Sequence, residues 1–208
     1  MLPAPPEIRS CPACGGRFLH PMIASGNNFG ARLWSDGYYD APMLPSPPPF
    51  VFTPCCSRVV ALRDARRLGR FDPKSPEARA SGLEFWKVPS LRQLLTALDE
   101  IREPRERRGT LLEQLWLRAN DRRRRNRSGP LRGIPGPVAA ALEEFFELTD
   151  PDLPAHRLGR AELCRELGRF DEALEILAEP LDDDWEPLAC QVRAWASAHN
   201  PRLEVFET

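Results

Sequence analysis

The chain has 208 residues, 42% of them apolar, and a formal net charge of −1, which suits one domain of moderate size or two small ones with a core. No apolar run approaches the ~20 residues of a membrane helix, and the opening Met1-Leu2-Pro3-Ala4-Pro5-Pro6-Glu7 lacks the basic and apolar regions of a signal peptide. With 23 prolines, long stretches must be loop or extended, so the expectation is a cytoplasmic globular chain, not a membrane protein, collagen, coiled coil or disulfide-rich secreted module.

The small net charge hides a split. Residues 1–132 hold 23 Lys/Arg against 13 Asp/Glu, a balance of +10, whereas residues 133–208 hold 6 against 17, a balance of −11. Such asymmetry marks either a nucleic-acid surface or two halves that attract one another within one folded unit. The near-cancellation favours the second.

In chain order, residues 1–60 carry four of the six cysteines, much aromatic, Gly and Pro punctuation, and few helical patterns. Asp36-Gly37, set between Arg32-Leu33-Trp34 and Tyr38-Tyr39, predicts a tight β-hairpin. The proline-rich Pro42 to Pro49 cannot be a central strand, and Phe50-Val51-Phe52 then predicts a short strand leading into the second cysteine pair. Residues 61–136 read as a helical segment. Ser90 and Gln93 form a capping box ahead of the stripe Leu91, Leu94, Leu95, Leu98 and Ile101, and Thr110 and Glu113 repeat the device ahead of Leu111, Leu112, Leu115 and Trp116. Two helices in an antiparallel hairpin are expected, followed by an exposed, Arg-rich linker from Arg122 through Gly129-Pro130 to Pro137.

Residues 137–208 are helical again. Pro137 suits a first helical turn, with Val138, Leu142, Phe145 and Phe146 facing inward. A helix through Leu158, Ala161, Leu163 and Leu167 should stop at Gly168, and Asp171 should cap the next, which bears Ala173, Leu174, Ile176 and Leu177. A last helix is expected from about Pro187 to Ala198. The run Leu68-Gly69-Arg70-Phe71-Asp72 recurs as Leu167-Gly168-Arg169-Phe170-Asp171, which reads as shared helix-stop chemistry and not a duplication.

Cys11-Pro12-Ala13-Cys14-Gly15-Gly16 has the spacing of a metal knuckle: two thiolates two residues apart, with Gly15 letting the turn close. Its counterpart is Thr53-Pro54-Cys55-Cys56. Aligned on the proline, Thr53 takes the first ligand position and Cys56 the second, with Cys55 between them. Three readings stay open: zinc on Cys11, Cys14, Cys55 and Cys56; zinc on three cysteines with His20 or water; or a ribbon without metal. Cys164 and Cys190 read as core residues on apolar helix faces.

Residues 11–60 resemble the N-terminal region of uncharacterised bacterial zinc-ribbon proteins. The resemblance rests on the Cys-Pro-x-Cys-Gly knuckle, Gly26-Asn27-Asn28-Phe29-Gly30-Ala31, Trp34-Ser35-Asp36-Gly37 and Pro42-Met43-Leu44-Pro45, and covers about a quarter of the chain. It implies a zinc ribbon with a long inserted hairpin and one structural zinc ion, and brings no reaction. Residues 161–174 are similar to the turn of a tetratricopeptide repeat, with Gly168, Phe170 and Ala173 as the small–aromatic–small contacts. No 34-residue period recurs, so one repeat-like hairpin is expected, not an array. The expected fold class is α+β, mostly α: a small N-terminal zinc-ribbon-like β domain (1–60), a helical segment with an Arg-rich linker (61–136), and a tetratricopeptide-like helical region (137–208).

The three histidines, His20, His156 and His199, sit in no motif with a nucleophile, and there is no phosphate loop or zinc-protease helix. The chain is therefore expected not to be an enzyme. Its expected partner is another protein, docked on Trp34, Tyr38 and Tyr39, with a toxin-neutralising (immunity) role as one specific form. The alternative is nucleic-acid binding through Arg122, Arg123, Arg124, Arg125 and Arg127.

Overall fold

Strand β1 (Leu2–Ser10) contains Pro3, Pro5 and Pro6, which cannot donate to a ladder, yet it is the middle strand of a sheet. Its neighbours, both antiparallel, are β2 (Arg17–Ser25) and β7 (Arg66–Arg70). The arrangement works because β7 pairs only with Glu7–Ser10, past the last proline. The ladder to β2 shifts register between Leu2 and Pro3 and between Ala4 and Glu7. The proline half of β1 thus behaves as an edge.

The computed structural model describes residues 1–72, 74–75, 81–102, 104–126 and 133–207. Among these it is mixed α/β, with strands in small sheets and a helical C-terminal half. It divides into two units that differ from the three-part organisation expected above. The first comprises Met1–Ala31 and Ala41–Arg102, the second Arg32–Asp40 and Glu103–Thr208.

In the first unit, β5 (Phe50–Thr53) and β6 (Arg58–Ala61) form an antiparallel hairpin, as the apolar run Phe50-Val51-Phe52 predicts. Phe18, Val51, Val60, Leu62 and Ala65 make its core with Cys11, and Cys56 and Trp86 pack against them. Residues 84–87 stitch the two sheets together: Leu19 N–H donates to Glu84 O (2.8 Å) and Lys87 N–H to Phe52 O (2.9 Å). Helix α1 (Leu91–Glu100) packs on β6, and its capping box is formed as read, with the Ser90 hydroxyl accepting from Gln93 N and the Gln93 side chain accepting from Ser90 N. The helical reading of residues 61–90 is corrected, since 66–70 form β7. That strand is Arg-rich and mostly exposed, an edge protected by charge. The first copy of the Leu-Gly-Arg-Phe-Asp echo is therefore the end of a strand, with Gly69 opposite Ile8.

In the second unit, β3 (Arg32–Leu33) and β4 (Tyr39–Asp40) flank the predicted hairpin. Gly37 adopts φ +82°, its N–H donates to Trp34 O (2.8 Å), and Trp34 N–H donates to Tyr38 O (2.9 Å). This is a three-residue loop whose last position needs glycine. Helix α2 (Arg105–Arg125) packs on α3 (Gly136–Leu148), so the helical hairpin expected of residues 90–126 is divided between the units. Thr110 is not a cap. Helix α2 starts after Pro104 and runs through Gly109, and the Thr110 hydroxyl donates back to Glu106 O (3.0 Å).

Helices α4 (Pro154–Glu166), α5 (Phe170–Ile176) and α6 (Glu186–Ser197) pack on one another around Leu158, Ala161, Cys164, Ala173, Leu177, Ala189 and Val192. Each fully buried Leu or Val of this kind contributes ~1.5–3 kcal/mol. Gly168 stops α4 as expected, at φ +79°. Its N–H donates to Arg165 O (3.0 Å) and Arg169 N–H to Cys164 O (2.8 Å), a complete Schellman motif. His199 plays the same part after α6 at φ +50°, its ring edge-on to Phe170 at 4.9 Å. Asp171 does not cap α5; that position is Arg169, and Asp171 lies in the first turn, where its charge complements the helix dipole. Cys164 is buried as read, whereas Cys190 is exposed.

Candidate functional site

The sulfurs of Cys11, Cys14, Cys55 and Cys56 all lie within 4.8 Å of one another. Cys11 to Cys56 is 3.7 Å and Cys14 to Cys55 is 3.6 Å. A tetrahedron built on ~2.3 Å metal–sulfur bonds has edges of about 3.8 Å. The donor set therefore fits one metal ion with four thiolate ligands.

Two backbone turns of the same form present these sulfurs. In the first, Gly15 N–H donates to Cys11 O (2.9 Å) and Gly15 sits at φ +72°. In the second, Ser57 N–H donates to Thr53 O (3.0 Å) and Ser57 sits at φ +55°. Thr53 thus occupies the first position of the second knuckle, and Cys56 matches Cys14. The Thr53 hydroxyl donates to Arg58 O (3.1 Å) and lies 3.3 Å from the Cys56 sulfur, while Cys55 supplies the fourth sulfur from the turn itself. His20 is elsewhere, its Nδ1 accepting from Trp86 Nε1 at 2.9 Å.

Burial raises the Cys11 thiol, but the amides of Ala13 and Cys14, with Thr53 and Cys56, more than offset this and bring it down to about 7. Burial and the sulfurs of Cys14 and Cys11 push Cys55 up to about 12. Four thiols this close cannot all ionise unless a cation lies among them. Gly16 makes room for the cluster: a β-carbon there would sit 2.8 Å from Cys55 Cβ and 3.2 Å from the Cys14 and Cys55 sulfurs. Gly16→Ala is expected to weaken metal affinity at least ~10-fold, about 1.4 kcal/mol, measured by competition with a chromophoric chelator.

The residues expected to anchor a partner separate in the structure. Trp34 is 3% exposed and belongs to the core of its unit, so it is not available as an anchor. Tyr38 is 37% exposed beneath the Arg124 guanidinium, 4.2 Å from the ring centroid, and Tyr39 is 52% exposed.

The hairpin tip between Trp34 and Tyr38 enters a buried polar network that the sequence patterns do not reveal. Asp36 is ion-paired with Arg124 and accepts from Asn120 Nδ2 (2.9 Å) and Tyr38 N (3.2 Å). Asn120 Nδ2 also reaches Glu166 Oε1 (3.1 Å), and Glu166 is ion-paired with Arg123. Arg165, fully buried, holds Glu162 bidentately (2.6 and 2.8 Å) and donates to Arg202 O (2.7 Å) and Asn200 O. Burial pushes the Asp36, Glu162 and Glu166 carboxyls up, against the pull of Arg124, Arg165 and Arg123 respectively.

Arg122–Arg125 form the last turn of α2, not a linker; Arg123 and Arg124 have side chains 7% exposed, and Arg122 and Arg125 are exposed. Arg127 and the rest of the expected linker to residue 132 lie outside the described residues. Further up α2, Arg108 is ion-paired with Glu144 of α3, so basic α2 meets acidic helices of the same unit. No helix among the described residues is long and apolar enough to cross a membrane. Comparison with family models, with curated proteins and with solved structures found no match to this chain.

Proposed function

We propose that the chain is a non-catalytic protein-interaction module whose first unit is held by one structural zinc ion on Cys11, Cys14, Cys55 and Cys56. The observation that carries this reading is the closed set of four sulfurs. All-cysteine coordination leaves no position for a substrate or an activated water and supplies folding energy instead. In this reading the first unit is a zinc ribbon whose second knuckle has exchanged Thr53 for Cys55.

The docking surface we favour is on two loops of that unit, not on Trp34. Phe29 is 84% exposed, and Met43 and Leu44 are 37% and 45% exposed. The loops touch, since a β-carbon on Gly26 would fall 2.1 Å from Met43 O. Exposed apolar side chains on two touching loops suit a protein partner. On the second unit, Asp171, Glu172, Glu175, Glu179 and Asp182–Asp184 are exposed, a field suited to a basic partner such as a neutralised toxin. The nucleic-acid alternative is weaker because Arg123 and Arg124 are engaged in buried ion pairs.

Two measurements test the reading. Elemental analysis is expected to find about one zinc per chain, and none in Cys14→Ser. Affinity capture should retain a specific protein that Phe29→Ser/Leu44→Ser loses by at least ~10-fold. A catch dominated by nucleic acid that falls away steeply with salt would overturn it in favour of the alternative.

A further inference from the structure

Helices α2 and α4 each carry a glycine inside the helix, Gly109 just past the first turn of α2 and Gly159 near the middle of α4. A β-carbon at Gly109 would meet nothing within 4 Å, and one at Gly159 only Phe145 Cε1 at 4.0 Å. Neither has the positive φ that favours glycine. Packing and backbone geometry therefore leave both glycines unexplained, although glycine is among the poorest helix formers. What they share is a cleft of ≈ 950 Å³ in the second unit, which both line. That volume lies within the range of small-molecule sites.

The cleft wall is largely apolar and aromatic, with Trp116, Phe145, Trp185 and Leu188. Among its ionisable lining groups, Arg105 donates to Glu147 O (2.7 Å) and Asp36 is ion-paired with Arg124, which leaves Glu113 as the carboxylate of interest. Glu113 is an exposed residue on the wall of the cleft and, among the described residues, has no hydrogen bond or ion pair. Partial desolvation by the groups around it still raises its carboxyl, against a pull from His156. His156 accepts the Asp150 amide on Nδ1 (3.0 Å), so the neutral ring carries its proton on Nε2. Trp116 is 3% exposed, and its indole N–H finds no acceptor among the described residues. An unpaired carboxylate beside aromatic rings is the complement of a positive charge on an apolar body.

We propose that this cleft binds a small organic cation, an alkyl or aryl amine, with its ammonium on Glu113 and its apolar body against Trp116 and Trp185. The glycines keep the space open. The site belongs to the second unit alone and stands or falls independently of the metal centre and of the Phe29/Met43/Leu44 docking surface.

Titration of the full chain with phenethylamine, followed by calorimetry and by the indole N–H resonances, tests it. The amine is expected to bind saturably and at least ~10-fold more tightly than neutral 2-phenylethanol or anionic 3-phenylpropanoate. Glu113→Gln should lose at least ~10-fold. Gly109→Leu, at a lining position where a β-carbon meets nothing within 4 Å, should abolish binding while thermal unfolding stays cooperative. Absence of saturable binding, equal binding of the carboxylate, or an unaffected Gly109→Leu would overturn the proposal.

Discussion

Cys55→Ser is expected to lose the bound metal, while the double variant Thr53→Cys/Cys55→Ala regains it. In the single variant, three sulfurs remain and the fourth corner passes to a hydroxyl, a poor partner for a thiolate-type site. In the double variant, a sulfur returns at the position where the Thr53 hydroxyl now lies, 3.8 Å from the Cys11 sulfur and 3.3 Å from that of Cys56. That restores two equivalent knuckles. The effect should be large, because structural zinc contributes ~10–16 kcal/mol of apparent binding free energy in small domains, comparable with the whole stability of a domain. Metal per chain and hydrogen exchange of the Phe18, Val51 and Val60 amides are the measurements. A Cys55→Ser protein with full metal content would show that Cys55 is not a ligand.

Asp36→Ala is expected to lower stability by about 3–5 kcal/mol, the usual cost of leaving a buried charge without its partner. Among the described residues, Arg124 would keep Asp121 (3.1 Å), which is itself 30% exposed, the Leu117 carbonyl (2.8 Å) and the face of Tyr38 (4.2 Å), none of which replaces the buried carboxylate. For a unit of this size the shift in unfolding midpoint is roughly 10–20 °C. Asp36→Leu/Arg124→Met should recover most of the loss, since a buried pair replaced by apolar groups of similar volume is often neutral. Tyr39→Ala, on the exposed side of the same hairpin, should change stability by less than ~0.5 kcal/mol. Equal losses in Asp36→Ala and Tyr39→Ala would show that the hairpin tip is not held by its carboxylate.

Local chemistry was legible in the sequence wherever a few neighbouring residues decide the outcome. The Ser90–Gln93 box, the Gly168 stop and the Asp36-Gly37 turn each follow from side chains within about one turn of the backbone they satisfy. Spacing alone likewise paired Cys11 with Cys14, whereas the share of Cys55 and Cys56 was one of three open readings until the fold brought the four sulfurs within 4.8 Å of one another. Failures arose where the deciding partner is distant. Residues 66–70 were read as helical, but β1 recruits them as an edge strand from about 60 residues away. The Arg122–Arg125 run looked solvated, but Glu166 and Asp36 reach two of its members from remote segments. The identical Leu-Gly-Arg-Phe-Asp pentads end a strand in one place and a helix in the other, because neighbours across the fold override local propensity.

The hairpin at residues 32–40 interrupts the first unit and belongs to the second, which sets an order of assembly. Asp36 lies 84 residues from Asn120 and 88 from Arg124, and the Ser35 hydroxyl accepts from the amide of Glu204, 169 residues later. At a synthesis rate of ~5–20 residues per second, the tip leaves the ribosome about 10–30 s before its final partner exists. Contacts of such long range slow folding, because loop-closure entropy is lost before they form. During that interval the Asp36 carboxylate stays hydrated and both flanking stretches of the first unit can pair around an open loop. The earliest-made piece of the second unit is thus among the last to be seated, and no single cut of the chain can release one unit intact.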